Sequence, residues 1–370
     1  MPISIENPPS KTSGFALWNL GFRPFFLVAG IFSVVIMGLW MGIYILGWPF
    51  PTTGITVYQW HAHEMIYGYS MAVIAGFLLT AVRNWTNVPT ASGPSLMVLT
   101  LLWLAARIAM LFGDSYIAWA AGFDILFMLA LMTAVAMPIV EARQWKQLGI
   151  LTKLVLLLIT NICFYLGALG MLMTGAYWGV YGGLLLIISL ILMMGRRVIP
   201  FFIERGVGYP VQLSNAKWID ISSMVLFLLF FICELFLDVP SITFILTGAL
   251  FILNTIRLYG WHTPGIWKKP LLWSLYVSLL FIDLGFLLFA LNAVIGVPRL
   301  LAVHAFAVGG VGLSTLAMMS RVSLGHTGRE IGEPPLTASI ALGILILAAV
   351  FRVIVPIFAI QQYPLWIAIS

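Results

Sequence analysis

Apolar residues run along this chain in long blocks, parted by short connections rich in Gly, Pro, Lys and Arg. An α-helix rises about 1.5 Å per residue and the hydrocarbon core of a bilayer is about 30 Å thick, so about 20 consecutive apolar residues make a crossing. Blocks of that kind lie at 25–47, 60–82, 96–113, 116–138, 151–173, 176–200, 218–237, 241–260, 271–293, 299–320 and 337–359, and a twelfth begins at "YPLWIAIS". The ten-residue in–out alternation of a membrane β-barrel is not part of the pattern. The expected fold is all-α: a polytopic membrane helical bundle of about 12 transmembrane helices, forming one transmembrane domain over residues 1–370.

Composition agrees, with 62% hydrophobic and 8% charged residues where a soluble domain carries about a quarter charged. A net charge of +6 raises the question of nucleic acid. The basic residues are scattered through the connections with no basic face, so no nucleic-acid partner is expected. Their placement reads as topology instead. Lys11, Arg23, Arg83, Arg143, Lys146, Lys153, Arg196, Arg197, Arg205, Lys217, Arg257, Lys268, Lys269, Arg321 and Arg329 fall on the N-terminal segment and the even-numbered connections, against Arg299 alone on the odd ones. Cytoplasmic connections carry the Lys/Arg excess, which places the N-terminus and the even connections inside. The first 24 residues, with Pro2, Pro8 and Pro9, lack the charged-then-apolar pattern of a cleaved leader, and the first block is long enough to stay in the bilayer. Cys163 and Cys233 each sit within an apolar block and read as two buried thiols, not a disulfide framework.

That orientation sorts the five histidines into two groups. The second block starts at the outer surface with "YQWHAHEM", bringing His61, His63 and Glu64 to its outer edge; the tenth also starts outside, with His304 at a comparable depth. His326 lies 22 residues beyond His304, roughly 33 Å along a helix, so it belongs to the cytoplasmic side together with His262. In a regular helix His61 and His63 point about 200° apart, whereas His61 shares a face with Glu64. One site for both imidazoles therefore needs residues 60–63 to be unwound; otherwise one ligates and the other supports. Neutral imidazoles at one depth suit copper or haem iron, with a carboxylate fixing a ring tautomer or relaying a proton. The plainer reading is a wet interfacial belt of His and Trp60. The recurrence of His304 at matching depth favours a metal or proton site made by His61, His63 and His304 with Glu64.

Gly309, Gly310 and Gly312 strip side chains from a turn of the tenth block, which permits either close helix packing or the approach of a flat ring. At the inner surface, "GFRPFF" and "GRRVIPFF" crowd Arg23, Arg196 and Arg197 on the side of Arg321 and His326. These guanidinium groups form either a solvated rim facing anionic lipid or a clamp for carboxylates such as haem propionates. Asp124, Glu234, Asp283, Arg107 and Arg352 lie inside apolar blocks, where charge is costly, and are expected to face the interior of the bundle. No phosphate-cradling loop, covalent haem motif, nucleophile elbow or zinc-protease helix accompanies them.

Taken together, "GFRPFF", "WHAHEM" with "AGFLLTAVRNWT", "GRRVIPFF", "PLLW" and "LAMMSRVSLGHTGR" resemble the NnrS family over about residues 14–355. The resemblance implies a haem- and copper-containing protein of the bacterial inner membrane, connected with nitric oxide metabolism and protection against nitrosative stress. The haem is then non-covalent, of b type. It further implies metal-ligating roles at His61, His63, His304 and His326, with Glu64 beside the first pair and Arg23, Arg196, Arg197 and Arg321 as cofactor-binding residues. Its expected partners are nitric oxide or a related small molecule, membrane lipid and an electron donor that the sequence does not name. Many relatives carry a His shortly after "PLLW", where this chain has Tyr276, which puts a ligand there in doubt. Whether a metal-dependent redox or detoxifying reaction takes place is left open by the motifs. Two alternatives from other classes stand beside this reading: a secondary transporter of a small solute, and a non-catalytic haem-based gas sensor.

Overall fold

A computed structural model describes residues 16–51, 54–237, 239–358, 362 and 365–366. Among the described residues the regular structure is helical, without strands, and eleven helices are long and apolar enough to cross a membrane. They are α1 (Phe22–Tyr44), α2 (Val57–Thr86), α3 (Pro94–Leu111), α4 (Asp114–Glu141), α5 (Trp145–Ala168), α6 (Gly175–Gly206), α7 (Lys217–Leu237), α8 (Pro240–Trp261), α9 (Pro270–Ile295), α10 (Arg299–His326) and α11 (Leu336–Phe358). All eleven coincide with the blocks read from the sequence, and α2, α4, α6 and α10 run one to two turns longer. The expected twelfth crossing lies largely outside the described residues.

The chain forms two compact units, Met1–Leu186 with His326–Gly328, and Ile187–Gly325 with Arg329–Ser370. In the first unit α1 lies along α2 because Gly76 offers no side chain there: a Cβ would stand 2.8 Å from the Phe26 ring. Between helices in lipid, association depends on such close van der Waals approach. The backbone N–H of Phe22, at the start of α1, donates to Thr80 Oγ1 on α2 at 3.1 Å, giving one orphan donor of a helix start its partner. A short connection through Gly113, with φ +81°, folds α4 back on α3, and α5 packs on α4. Thr56 and Gln59 close α2 at its N-terminus as a reciprocal capping box, with bonds of 2.8 and 3.2 Å.

In the second unit α9 packs on α8 and on the middle of α10. Its core is a cluster of Phe227, Phe230, Phe286, Phe289 and Phe306, with ring centroids 5.1–6.2 Å apart and mostly edge-to-face. Gly309 and Gly310 serve this packing. A Cβ at Gly309 would stand 2.2 Å from the Phe281 ring, and one at Gly310 2.7 Å from Ile282. Of the two readings of the glycine stretch, close helix packing is the one realised at these positions.

Four of the crossings contain π-helical segments: Glu64–Ser70 in α2, Cys233–Leu237 in α7, Ala305–Gly312 in α10 and Val350–Ile354 in α11. A π turn takes an extra residue, leaves the ordinary carbonyl ladder out of step and is frequent at functional sites. In α2 side chains help meet the displaced carbonyls: Ser70 Oγ donates to Met65 O at 2.8 Å and Trp103 Nε1 to Gly68 O at 3.0 Å.

Candidate functional site

The π segment of α2 opens at Glu64 and that of α10 opens one residue after His304. Each of the two units thus sets an imidazole against the start of a widened helical turn.

In the first unit the turn at Glu64 supports a buried polar cluster from four crossings. Glu64 and Asp124 are each 1% exposed, Arg107 2% and His63 not at all. Arg107 on α3 joins the two carboxylates, with Nη1 donating to Glu64 Oε1 at 2.6 Å and Nη2 to Asp124 Oδ2 at 2.5 Å. His63 Nδ1 lies 3.0 Å from Glu64 Oε1, and Nε2 lies 3.0 Å from Asn161 Oδ1 on α5. The Tyr165 hydroxyl donates to Asp124 Oδ2 at 2.8 Å, and Asn161 Nδ2 reaches the same oxygen at 3.3 Å. Phe164 stacks on the His63 ring at 4.1 Å between centroids. Below it, the Tyr67 hydroxyl lies 2.9 Å from Thr160 Oγ1 and 2.7 Å from Gly179 O. Both nitrogens of His63 face oxygen atoms, so the ring donates to both when it carries two protons.

His61 and His63 do not share a site on α2. Residues Val57–His63 form a regular, capped α-helix, so the unwound turn that a common site requires is not formed. His61 instead stacks on Trp40 of α1, with centroids 4.2 Å apart. Ligation of a metal by His63 would require one of its two bonds, to Glu64 or Asn161, to be given up.

In the second unit His304 Nδ1 lies 2.9 Å from Leu300 O, one turn earlier in α10. In the neutral ring that bond makes Nδ1 the protonated nitrogen and Nε2 the one with the lone pair. A backbone carbonyl on the opposite nitrogen is the usual way a metal-binding imidazole is oriented, so His304 fits the donor that haem iron or copper would take. Among the described residues, no three His, Cys, Asp or Glu side chains converge on one metal-sized space.

The inner-side candidates fall as follows. His326 ends α10 and stacks on Phe22 at 5.4 Å, and the Arg23 guanidinium lies 5.6 Å from the centroid of that same ring. Arg321 lies 3.7 Å above the Phe202 ring of "IPFF". Arg197 is exposed, and Arg196 Nη1 is 3.3 Å from Asp220 on α7. His262 is also exposed; its Nε2 accepts from Trp267 Nε1 at 3.1 Å.

Several functional groups are not named by motif reading. Asn161 and Tyr165 are ordinary residues in a span, and Arg107 and Asp124 had no assigned partners. Position gives them away: α3, α4 and α5 place all four near the end of their helices that the charge pattern puts outside, level with Glu64. Matching polar residues by depth, the same relation that groups the histidines, is the signal that finds them. The other intramembrane charges also have partners, Arg299 with Glu234 and Asp283 Oδ2 with Thr255 Oγ1 at 2.7 Å.

No curated protein matches the chain. The family described as "NnrS protein" matches residues 16–370, nearly its whole length. With eleven apolar crossings among its described residues, the chain belongs to the NnrS family and is a multi-pass membrane protein connected with nitric oxide.

Proposed function

We propose that this protein binds haem b and copper in the bacterial inner membrane and handles nitric oxide there, limiting nitrosative damage. Family membership supports the connection with nitric oxide. The observation that carries the metal reading is His304, whose Nδ1 lies 2.9 Å from Leu300 O, the backbone contact that orients a metal-binding imidazole and puts the lone pair of the neutral ring on Nε2. His304 and His61 are the first choices as metal ligands on the outer side, with His326 on the inner side. His63, held between Glu64 and Asn161, has the different task of keeping Glu64 in place. The candidates for haem carboxylates are Arg23 in the first unit and, separately, Arg197 and Arg321 in the second. Bound haem iron or copper would supply an open coordination position for nitric oxide and one-electron exchange with a donor.

The chain's own part in that chemistry is to orient the ligands and to move protons. Glu64 touches both His63 and Arg107, so a proton arriving at its carboxyl can pass to the imidazole without leaving the buried cluster. Nitric oxide is small and apolar and reaches such a site through lipid, without a polar channel. The optical spectrum tests the reading: purified protein shows a Soret band that moves when nitric oxide is added, whereas a colourless, metal-free preparation contradicts it. Steady consumption of nitric oxide by the reduced protein distinguishes turnover from sensing.

A further inference from the structure

The second unit contains a cleft at its cytoplasmic end that neither the histidines nor the metal reading uses. Leu192 and Arg196 of α6, Asn254, Arg257 and Trp261 of α8, and Ile282 of α9 line one lobe, with about 10 Å³ of free space. Asp220, Arg257 and Trp261 line a second lobe with about 40 Å³. Space on that scale takes a water or an ion of a few atoms and no large ligand.

Three features point to an anion. First, the charged groups on the lining are Arg196, Arg257 and Asp220, a formal sum of +1. Asp283 accepts from Thr255 and is not on the lining. Second, Arg257 is held rigidly, 8% exposed, with Nη1 on Asn254 Oδ1 and Nη2 at 3.1 Å from Ser223 Oγ and 3.3 Å from Asp220 Oδ1. Arg196 Nη1 lies 3.3 Å from Asp220 Oδ2, and the side chain, 36% exposed, stands at the rim of the lining. Third, Trp261 is 1% exposed, and its indole Nε1 has no hydrogen-bond partner among the described residues. A buried donor without a partner is destabilising, and in a cleft flanked by guanidinium groups an anion's oxygen would meet it.

We propose that this cleft is a binding site for a small planar oxyanion, of the carboxylate or nitrite type, reached from the cytoplasm. Arg196 supplies the charge and Trp261 Nε1 the directional donor, while Arg257 fixes the wall. Size sets the preference: formate and nitrite have three heavy atoms and suit spaces of about 10 and 40 Å³, whereas phosphate has five, and a guanidinium edge meets two oxygens of such an anion at once. The site does not depend on haem or copper.

Calorimetric titration of the full chain in non-ionic detergent with sodium formate, sodium nitrite and sodium phosphate tests it. Expected is saturable binding of formate or nitrite, at least tenfold tighter than phosphate. Trp261→Phe keeps an aromatic side chain but removes the N–H together with the five-membered ring, and should weaken binding about tenfold or more, as should Arg196→Gln at the partly exposed rim. Absence of saturable binding, phosphate binding as tightly as formate, or affinity unchanged in both variants would overturn the assignment.

Discussion

Removing the guanidinium of Arg107 should expose how the buried cluster of the first unit is balanced. In Arg107→Met the two carboxylates that it joins, at 2.6 and 2.5 Å, lose the guanidinium that pairs with both and keep only His63, 3.0 Å from Glu64 and 3.8 Å from Asp124. With charge centres about 4 Å apart and an effective dielectric of about 20, each lost pair amounts to about 4 kcal/mol of Coulomb energy, partly returned by relaxation. Breaking one partner out of a buried pair typically costs about 3–5 kcal/mol, and that is the expected loss in Arg107→Met. Glu64→Gln leaves Arg107 and His63 with only Asp124 and should cost a similar amount. The double variant removes the guanidinium and one of its carboxylates together, and should lose at least about 2 kcal/mol less than the sum of the singles. The assay is reversible unfolding of the detergent-solubilised chain by SDS titration for all four corners of the cycle. Additivity to within about 0.5 kcal/mol, the figure for independent sites, would refute the idea that these groups form one charge-compensated unit.

Other substitutions probe the packing around the same elements. Gly68→Ala would place a Cβ 2.6 Å from Phe32 and 3.2 Å from Arg107 Nη1; an overpacking cost of about 1–3 kcal/mol should appear in the same unfolding assay. Trp103→Phe removes the donor to Gly68 O and should cost about 1–2 kcal/mol, with faster amide exchange in Glu64–Ser70 measured by mass spectrometry. Gly309→Ala meets the Phe281 ring at 2.2 Å and should sharply reduce the yield of folded protein in size-exclusion chromatography, while Gly312→Ala, where the nearest neighbour would be 3.5 Å away, should be tolerated.

The crossings were legible because a bilayer imposes a length on every helix, and that length is written as block size. All eleven described helices follow from it, as does their alternation with basic connections. The π segments were not legible: each lies inside an apolar block whose composition suits an α-helix equally well, and only the packing around Glu64 or Ala305 shows the extra residue. The histidine motif was legible as chemistry but incompletely as geometry. Spacing alone gave the divergence of His61 from His63; the capped helix Val57–His63 then decided it. The pairing of Arg107 with Asp124 depended on how deep each lies along the α3–α4 hairpin, which single-block reading does not compare. Arg196, read among carboxylate-binding arginines, has a carboxylate of its own chain at 3.3 Å in Asp220, a partner on the next helix that composition cannot supply.

The most direct measurement of the central claim is metal analysis with an optical spectrum on the purified chain and on His304→Ala, both produced with haem and copper supplied. The account predicts haem and copper in the parent protein and depletion of at least one of them in the variant, with the fold retained. Equal metal content and identical spectra in the two proteins would contradict it.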